Sequence, residues 1–204
     1  MCQNEQKGFT LWLTGLSGAG KTTVSRLLES EFSNRKLKVE VLDGDVIRTN
    51  LSRGLGYSRE DREINLKRIG FVCKLLSRNN VIAIAAAITP YQNVRDFLRE
   101  DIENYIEVYV SCPLEICIKR DPKGLYKKAL KGEIENFTGI SDPYEEPKNS
   151  DITLYTDRES PEESAKRVVD YLEDLNLIPK KEREVYTREE EEEINRRLES
   201  LGYL

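Results

Sequence analysis

The stretch LWLTGLSGAGKTTVSRLL, Leu11 to Leu28, decides the fold. An apolar run of strand character breaks into three glycines, a lysine and two threonines, and a helix-like apolar spacing then follows. Gly15, Gly20, Lys21 and Thr22 match G-x-x-x-x-G-K-[ST], a phosphate-cradling pattern. Glycine-permitted turns let backbone N–H groups point at phosphate oxygens, and the helix that opens there adds partial positive charge. The expected cradle comprises Gly15, Leu16, Ser17, Gly18, Ala19, Gly20, Lys21, Thr22 and Thr23. Lys21 is expected to reach the β- and γ-phosphates, and the Thr22 hydroxyl to take a place on Mg²⁺. A glycine-rich turn that binds nothing would not need to sit between a strand and a helix. The stretch reads as a polyphosphate holder.

Further strand-like runs follow at KVEVLD from Lys38, NVIAIAAAI from Asn80, YIEVYV from Tyr105 and DITLYT from Asp151. Segments with helical spacing lie between them, so the chain reads as α/β: a five-stranded parallel sheet with helices on both faces. The near-continuous VIAIAAAI suggests a strand buried on both sides. Helix starts are signalled by Ser58 with Asp61, and by Ser160 with Pro161 and Glu163. From Lys123 to Pro147 the pattern loosens into glycines, prolines and lysines around Tyr126 and Phe137, as a segment that covers a ligand would. The expected organisation is one domain over residues 1–178, with a lid at about 123–147, and an acidic helical tail over 179–204. In that tail Thr187 and Glu190 form a capping-box pattern, and Ile194, Leu198 and Leu201 would share a helical face.

The 204 residues, 38% hydrophobic, suffice for one sizeable core. The 32 Lys and Arg are scattered among 37 acids for a net charge of −5, so no basic block marks a nucleic-acid or membrane surface. An anionic ligand must therefore be held locally. The opening MCQNEQKG is polar, and no apolar run approaches the roughly 20 residues of a membrane span, so a cytoplasmic protein is expected. Cys2, Cys73, Cys112 and Cys117 fit no zinc spacing and read as free thiols. The chain has no histidine, which excludes Ser/His and Cys/His nucleophile schemes. Chemistry must run on carboxylates, lysines, arginines, backbone amides and a bound cation.

No N-K-x-D base-reading motif is present, which favours ATP over a guanine nucleotide. Asp43 and Asp45 fall at the carboxyl end of the second strand, where ligands of open α/β sheets gather. One carboxylate would hold Mg²⁺ through water while the other faces an acceptor hydroxyl; the bland alternative is an Asp-Gly turn. Arg62 and Asn65 lie three apart on one helical face, near where Arg48 could project, and arginine forks suit phosphate or sulfate oxygens.

The motifs GLSGAGKTT, LDGDVIR, GLGYSREDR, ITPY and RDPKGLYKKALKGEIENFTGISDPYE together resemble the adenylylsulfate kinases, from about Gly8 to Leu177. The resemblance implies a P-loop kinase fold, usually homodimeric. It also implies transfer of the ATP γ-phosphoryl to the 3′-hydroxyl of adenosine 5′-phosphosulfate, giving 3′-phosphoadenosine 5′-phosphosulfate, with possible coupling to an ATP sulfurylase. By position, Asp45 looks like the family's catalytic aspartate near Mg²⁺. Arg48, Arg62 and Asn65 look like its acceptor contacts, with Ile88 and Thr89 bordering them. Tyr57 and Phe137 match the two aromatics that sandwich the acceptor adenine, the first usually Phe. Lys127, preferred over Lys128, resembles the lid lysine near the phosphosulfate, and Arg120 the arginine beside the ATP adenine. The chain departs from the family at Thr89-Pro90-Tyr91-Gln92, where many members read Ser-Pro-Tyr-Arg or Ser-Pro-His-Arg, with the serine sometimes described as a phosphorylated intermediate. In-line transfer needs no such intermediate, so Thr89 is given no covalent role and activity is expected to survive. Another small P-loop kinase and a nucleotide-binding regulatory module remain open at this stage.

Overall fold

A computed structural model describes residues 6–180 together with 196, 197, 199 and 200, the side chain of Asp45 excepted. Cys2 and the tail positions Thr187, Glu190, Ile194, Leu198 and Leu201 lie outside the described residues. Five strands form one sheet in the order β2-β3-β1-β4-β5: β1 Phe9–Thr14, β2 Val39–Asp43, β3 Ile82–Ala86, β4 Tyr105–Ser111 and β5 Ile152–Tyr155. Every neighbouring pair is parallel. All five regions expected to be strands from their apolar runs are strands.

Parallel strands need crossover helices, and these cover both faces. On one side α1 Lys21–Asn34 and α7 Pro161–Asp174 pack together; on the other lie α3 Arg59–Ser77 and α4 Gln92–Asp101. The two cores follow strand alternation. Leu11 and Leu13 of β1 and Ile82 and Ile84 of β3 join the first, while Trp12, Ala83 and Ala85 join the second. Trp12 pairs in register with Ala85, so the small residues of β3 leave the volume that the indole fills. β3 is buried at every position, as its unbroken apolar run predicts.

Helix starts follow the local chemistry. The Ser58 hydroxyl accepts from the Asp61 N–H at 3.1 Å, and Ser160 with Glu163 forms a reciprocal capping box ahead of α7. Three short helices carry no comparable sequence signal: α2 Gly44–Asn50, α5 Leu114–Arg120 and α6 Leu125–Leu130. Asp43-Gly44 is therefore not a turn, because Gly44 begins α2 directly after β2.

Candidate active site

The phosphate loop lies between the end of β1 and the start of α1. Gly15 has φ 148°, and a Cβ there would meet the Val110 carbonyl oxygen of β4 at 2.4 Å, so the loop leaves the sheet only with glycine at this point. Gly20, at φ 109°, turns the chain into α1. No side chain caps α1, whereas serines cap α3 and α7. The first turn of α1 thus presents its N–H groups to the loop, a ready anion site.

Around this loop lies a cavity of about 830 Å³. It is lined by Ser17, Gly18, Gly20, Lys21, Thr22 and Thr23 from the loop, by Asp43, Arg48, Tyr57, Arg62 and Asn65, by Ile88 and Thr89 after β3, and by Arg120 and Phe137. Among its described lining residues Lys21, Arg26, Arg48, Arg62, Arg120 and Lys123 are cationic, against Glu29 and Asp43. A chain of net charge −5 thereby concentrates positive charge at one place, where it attracts polyanions.

Individual contacts sharpen this. Lys21 Nζ donates to the carbonyls of Gly15 and Leu16 at 2.9 and 2.8 Å, curled over the loop. Thr22 Oγ1 donates to Asp43 Oδ2 at 3.0 Å, which pairs two hard oxygen donors at the end of β2 beside the cradle. That donor set fits Mg²⁺, which takes oxygen ligands and keeps several waters. Arg120 donates to the Gly18 carbonyl at 3.5 Å and to Thr156 Oγ1 at 3.3 Å, bridging the loop to the segment after β5.

The cavity wall facing the loop is built from α2, the segment after it and the start of α3. Arg48 Nη1 donates to the Gly56 carbonyl at 2.8 Å, and its guanidinium lies 4.3 Å from the Tyr57 ring centre. Tyr57 is 58% exposed, open to a planar ligand. Arg62 and Asn65, one turn apart on α3, are both buried and both line the cavity. Asn65 Oδ1 is a buried acceptor with no hydrogen-bond partner. Burial pulls the Arg62 guanidinium below its ordinary value, with nearby Asp142 acting against the shift.

Some expected residues stand elsewhere. The side chains of Leu16 and Ala19 do not face this cavity: Leu16 lines a separate one of about 700 Å³ and Ala19 is in the core, so only their backbone borders the cradle. Lys127 is exposed and does not line the cavity, whereas Lys123 does. Asp45 lies in the first turn of α2, directly after Asp43 and Gly44, with its side chain outside the described part. Phe137 sits in a polar stretch of sequence, yet it is core: it is 8% exposed and meets the Tyr126 ring edge-on, 5.0 Å between centres. Its remaining surface borders the same cavity as Tyr57.

Two residues that sequence reasoning did not single out for the site organise it. Tyr126 of α6 donates its hydroxyl to the Ser17 carbonyl at 3.0 Å, fastening the segment after α5 to the phosphate loop. Arg95 of α4 is fully buried and donates to the carbonyls of Thr89 and Glu145, each at 2.6 Å, and to Gln92 Oε1 at 2.7 Å. It joins the loop after β3 to the far end of the expected lid. A charged residue on the apolar spacing of α4 was the available signal.

A parallel sheet with a glycine-rich phosphate loop between β1 and α1, and a carboxylate at the tip of the second strand, defines the P-loop kinase class. A Janibacter sugar kinase, 22% identical with TM-score 0.61, shares the fold. A family model described as adenylylsulphate kinase matches residues 7–155. The chain is 53% identical over 176 residues to the adenylyl-sulfate kinase of Rippkaea orientalis, covering 86% of this chain and 97% of that one. Its similarity to the Mycobacterium tuberculosis APS kinase CysC, solved in complex with AMPPNP and APS, is 42% identity with TM-score 0.79, over 82% of this chain and 99% of that chain. The chain belongs to the adenylylsulphate kinase family and is a kinase.

Proposed function

We infer that this protein transfers the γ-phosphoryl of ATP to the 3′-hydroxyl of adenosine 5′-phosphosulfate, giving ADP and 3′-phosphoadenosine 5′-phosphosulfate. One observation carries the reading: a single cavity is bordered both by the phosphate loop and by the group Arg48, Tyr57, Arg62, Asn65 and Phe137. Two anionic ligands can therefore meet inside it. The orphaned Asn65 Oδ1 supports the reading, since a buried acceptor without a partner is costly until a ligand N–H or O–H fills it.

In this mechanism the amides at the start of α1 hold the ATP phosphates, and Lys21 exchanges its two carbonyl partners for β- and γ-phosphate oxygens. Thr22 and Asp43, with Asp45 following, would hold Mg²⁺, which when bound offsets charge on the bridging oxygens. Asp45 is assigned to orient the acceptor hydroxyl and accept its proton. Arg120 flanks the ATP base. Adenine of the acceptor lies between Tyr57 and Phe137, where stacking contributes about 1–3 kcal/mol. Arg48 covers one face of Tyr57, so the base takes the other face or displaces the guanidinium. The segment from 123 to about 142, with Lys127, closes over the bound pair and excludes water.

The same reading includes a homodimer, a cytoplasmic location and supply of the acceptor by an ATP sulfurylase. Among the described residues no helix is long and apolar enough to cross a membrane. Exposed Ile64 and Phe71 of α3 and Phe97 of α4 form an apolar face on two packed helices, suited to a second copy. The decisive experiment is ADP release measured with and without adenosine 5′-phosphosulfate. Strong dependence on that acceptor is expected; equal release in its absence, or a preference for another hydroxyl compound, would overturn the reading.

A further inference from the structure

The phosphate loop carries carbonyls as well as amides, and side chains from outside the loop decide which way two of those carbonyls point. Tyr126 of α6 donates its hydroxyl to the Ser17 carbonyl at 3.0 Å, and Thr156, just after β5, donates its hydroxyl to the Ala19 carbonyl at 2.7 Å. A trans peptide unit is planar, so its N–H points opposite to its carbonyl, and the chain has no cis peptide among the described residues. With the Ser17 carbonyl drawn toward Tyr126, the N–H that follows it, on Gly18, points the other way. Ser17 and Gly18 line the cavity, whereas Tyr126 does not. The Gly18 N–H has no acceptor among the described residues, which leaves it for an oxygen bound in the cavity.

Tyr126 is itself firmly held. Its side chain is buried, with the ring edge-on to Phe137. Its backbone is fixed by Asp121 at the end of α5: the Tyr126 N–H donates to Asp121 Oδ1 at 3.1 Å, and the Lys127 N–H to Asp121 Oδ2 at 3.0 Å. Burial pushes the phenol above its ordinary value, so the hydroxyl remains a proton donor at any pH where the enzyme works. A donor fixed through both ring and backbone can dictate how a peptide unit in a glycine-rich loop is turned.

We propose that Tyr126 is a positioning residue for the nucleotide: its buried hydroxyl turns the peptide between Ser17 and Gly18 so that the Gly18 N–H faces the phosphates. The inference rests on the reading that the loop between β1 and α1 holds ATP. Tyr126 itself touches no reacting atom. Its hydroxyl acts on nucleotide binding through the phosphates alone. The ring contact with Phe137 does not depend on the hydroxyl, so acceptor binding is left in place.

The test compares the unaltered full-length protein with Tyr126→Phe, which removes the hydroxyl and keeps the ring against Phe137. Loss of one hydrogen bond to a buried carbonyl should raise the ATP KM about five- to tenfold, with kcat and the acceptor KM changed less than about twofold. Inorganic triphosphate, which offers phosphates without a base, is the second probe. Its inhibition constant against ATP should rise by about the same five- to tenfold factor, because the loss lies in the cradle and not at the adenine. Where turnover of the Tyr126→Phe protein is too slow to assay, calorimetric titration with ADP and with triphosphate reads the same amide. A tyrosine that only supported the fold would move both substrates' KM values together or neither. If the unaltered protein binds neither ADP nor triphosphate, the nucleotide reading itself falls. If it binds both and Tyr126→Phe binds them equally well, or if the acceptor KM rises as much as the ATP KM, that reading stands and the role of Tyr126 is overturned.

Discussion

Thr89 stands at φ 48°, in the left-handed region that a β-branched residue seldom adopts, and its surroundings explain why it stays there. Its hydroxyl accepts from the Trp12 indole N–H at 2.8 Å, and its carbonyl accepts from buried Arg95. The hydroxyl therefore has a structural partner, in keeping with the absence of a covalent role. Gln92 acquires a reason of the same kind. Its Oε1 accepts from Arg95 Nη2, where a second arginine would set two guanidinium groups side by side. Thr89→Ala should keep turnover within about tenfold, since no step passes through the hydroxyl. It should lower stability by about 1–3 kcal/mol, because a buried indole N–H is left without an acceptor. Steady-state kinetics and thermal melting on one preparation check both; abolished turnover in a protein that melts normally would give Thr89 a chemical role.

At the scale of elements, helices α1 and α7 begin in opposite ways. The capping box ahead of α7 satisfies its first amides internally, whereas α1 starts at a glycine with no cap and offers its amides to a ligand. Glu163 reports on the α7 cap. Its bonds to the Ser160 N–H and side chain hold its carboxyl below the usual value of 4.5. The folded carboxylate is the stronger acid, so its contribution is fully present above pH 4.5 and is lost as pH falls through the lower folded value. Glu163→Gln should melt lower than the unaltered protein at neutral pH, and the gap should narrow as pH falls below 4.5. Melting curves across that range test the assignment; a gap independent of pH would show that the charge contributes nothing. The caps were legible in sequence because they are local patterns. Helices α2, α5 and α6 were not: each is six or seven residues long, too short for a periodic signal, and tertiary contacts such as Tyr126 on Ser17 hold them.

For the molecule as a whole, the exposed face of α3 and α4 bears on assembly. Ile64 and Phe71 are 43% and 60% exposed, and Lys67 Nζ lies 5.1 Å from the Phe97 ring centre. Burying this face against a second copy would remove apolar surface without disturbing either core. Phe71→Glu should convert a sedimenting dimer to monomer while leaving the melting curve of the isolated subunit nearly unchanged. A wild-type protein that sediments as a monomer at micromolar concentration would overturn this assignment.

The sequence by itself determined the sheet, the phosphate loop and the family. Each of these is written in short-range spacing: alternation along strands, glycines where the backbone must turn left-handed or pass close to β4, and motif residues a few positions apart. Only the tertiary structure decided that Phe137 is a core residue resting on Tyr126 and that Leu16 faces away from the cradle. The same is true of the bonds that buried Arg95 and Thr138 make, which tie the far end of the expected lid to the loop after β3 and to α3. Those outcomes depend on partners separated by tens of residues, Arg62 from Thr138 and Arg95 from Glu145 among them. Local pattern cannot encode such a contact, because which oxygen a buried guanidinium meets is settled only when the two segments pack.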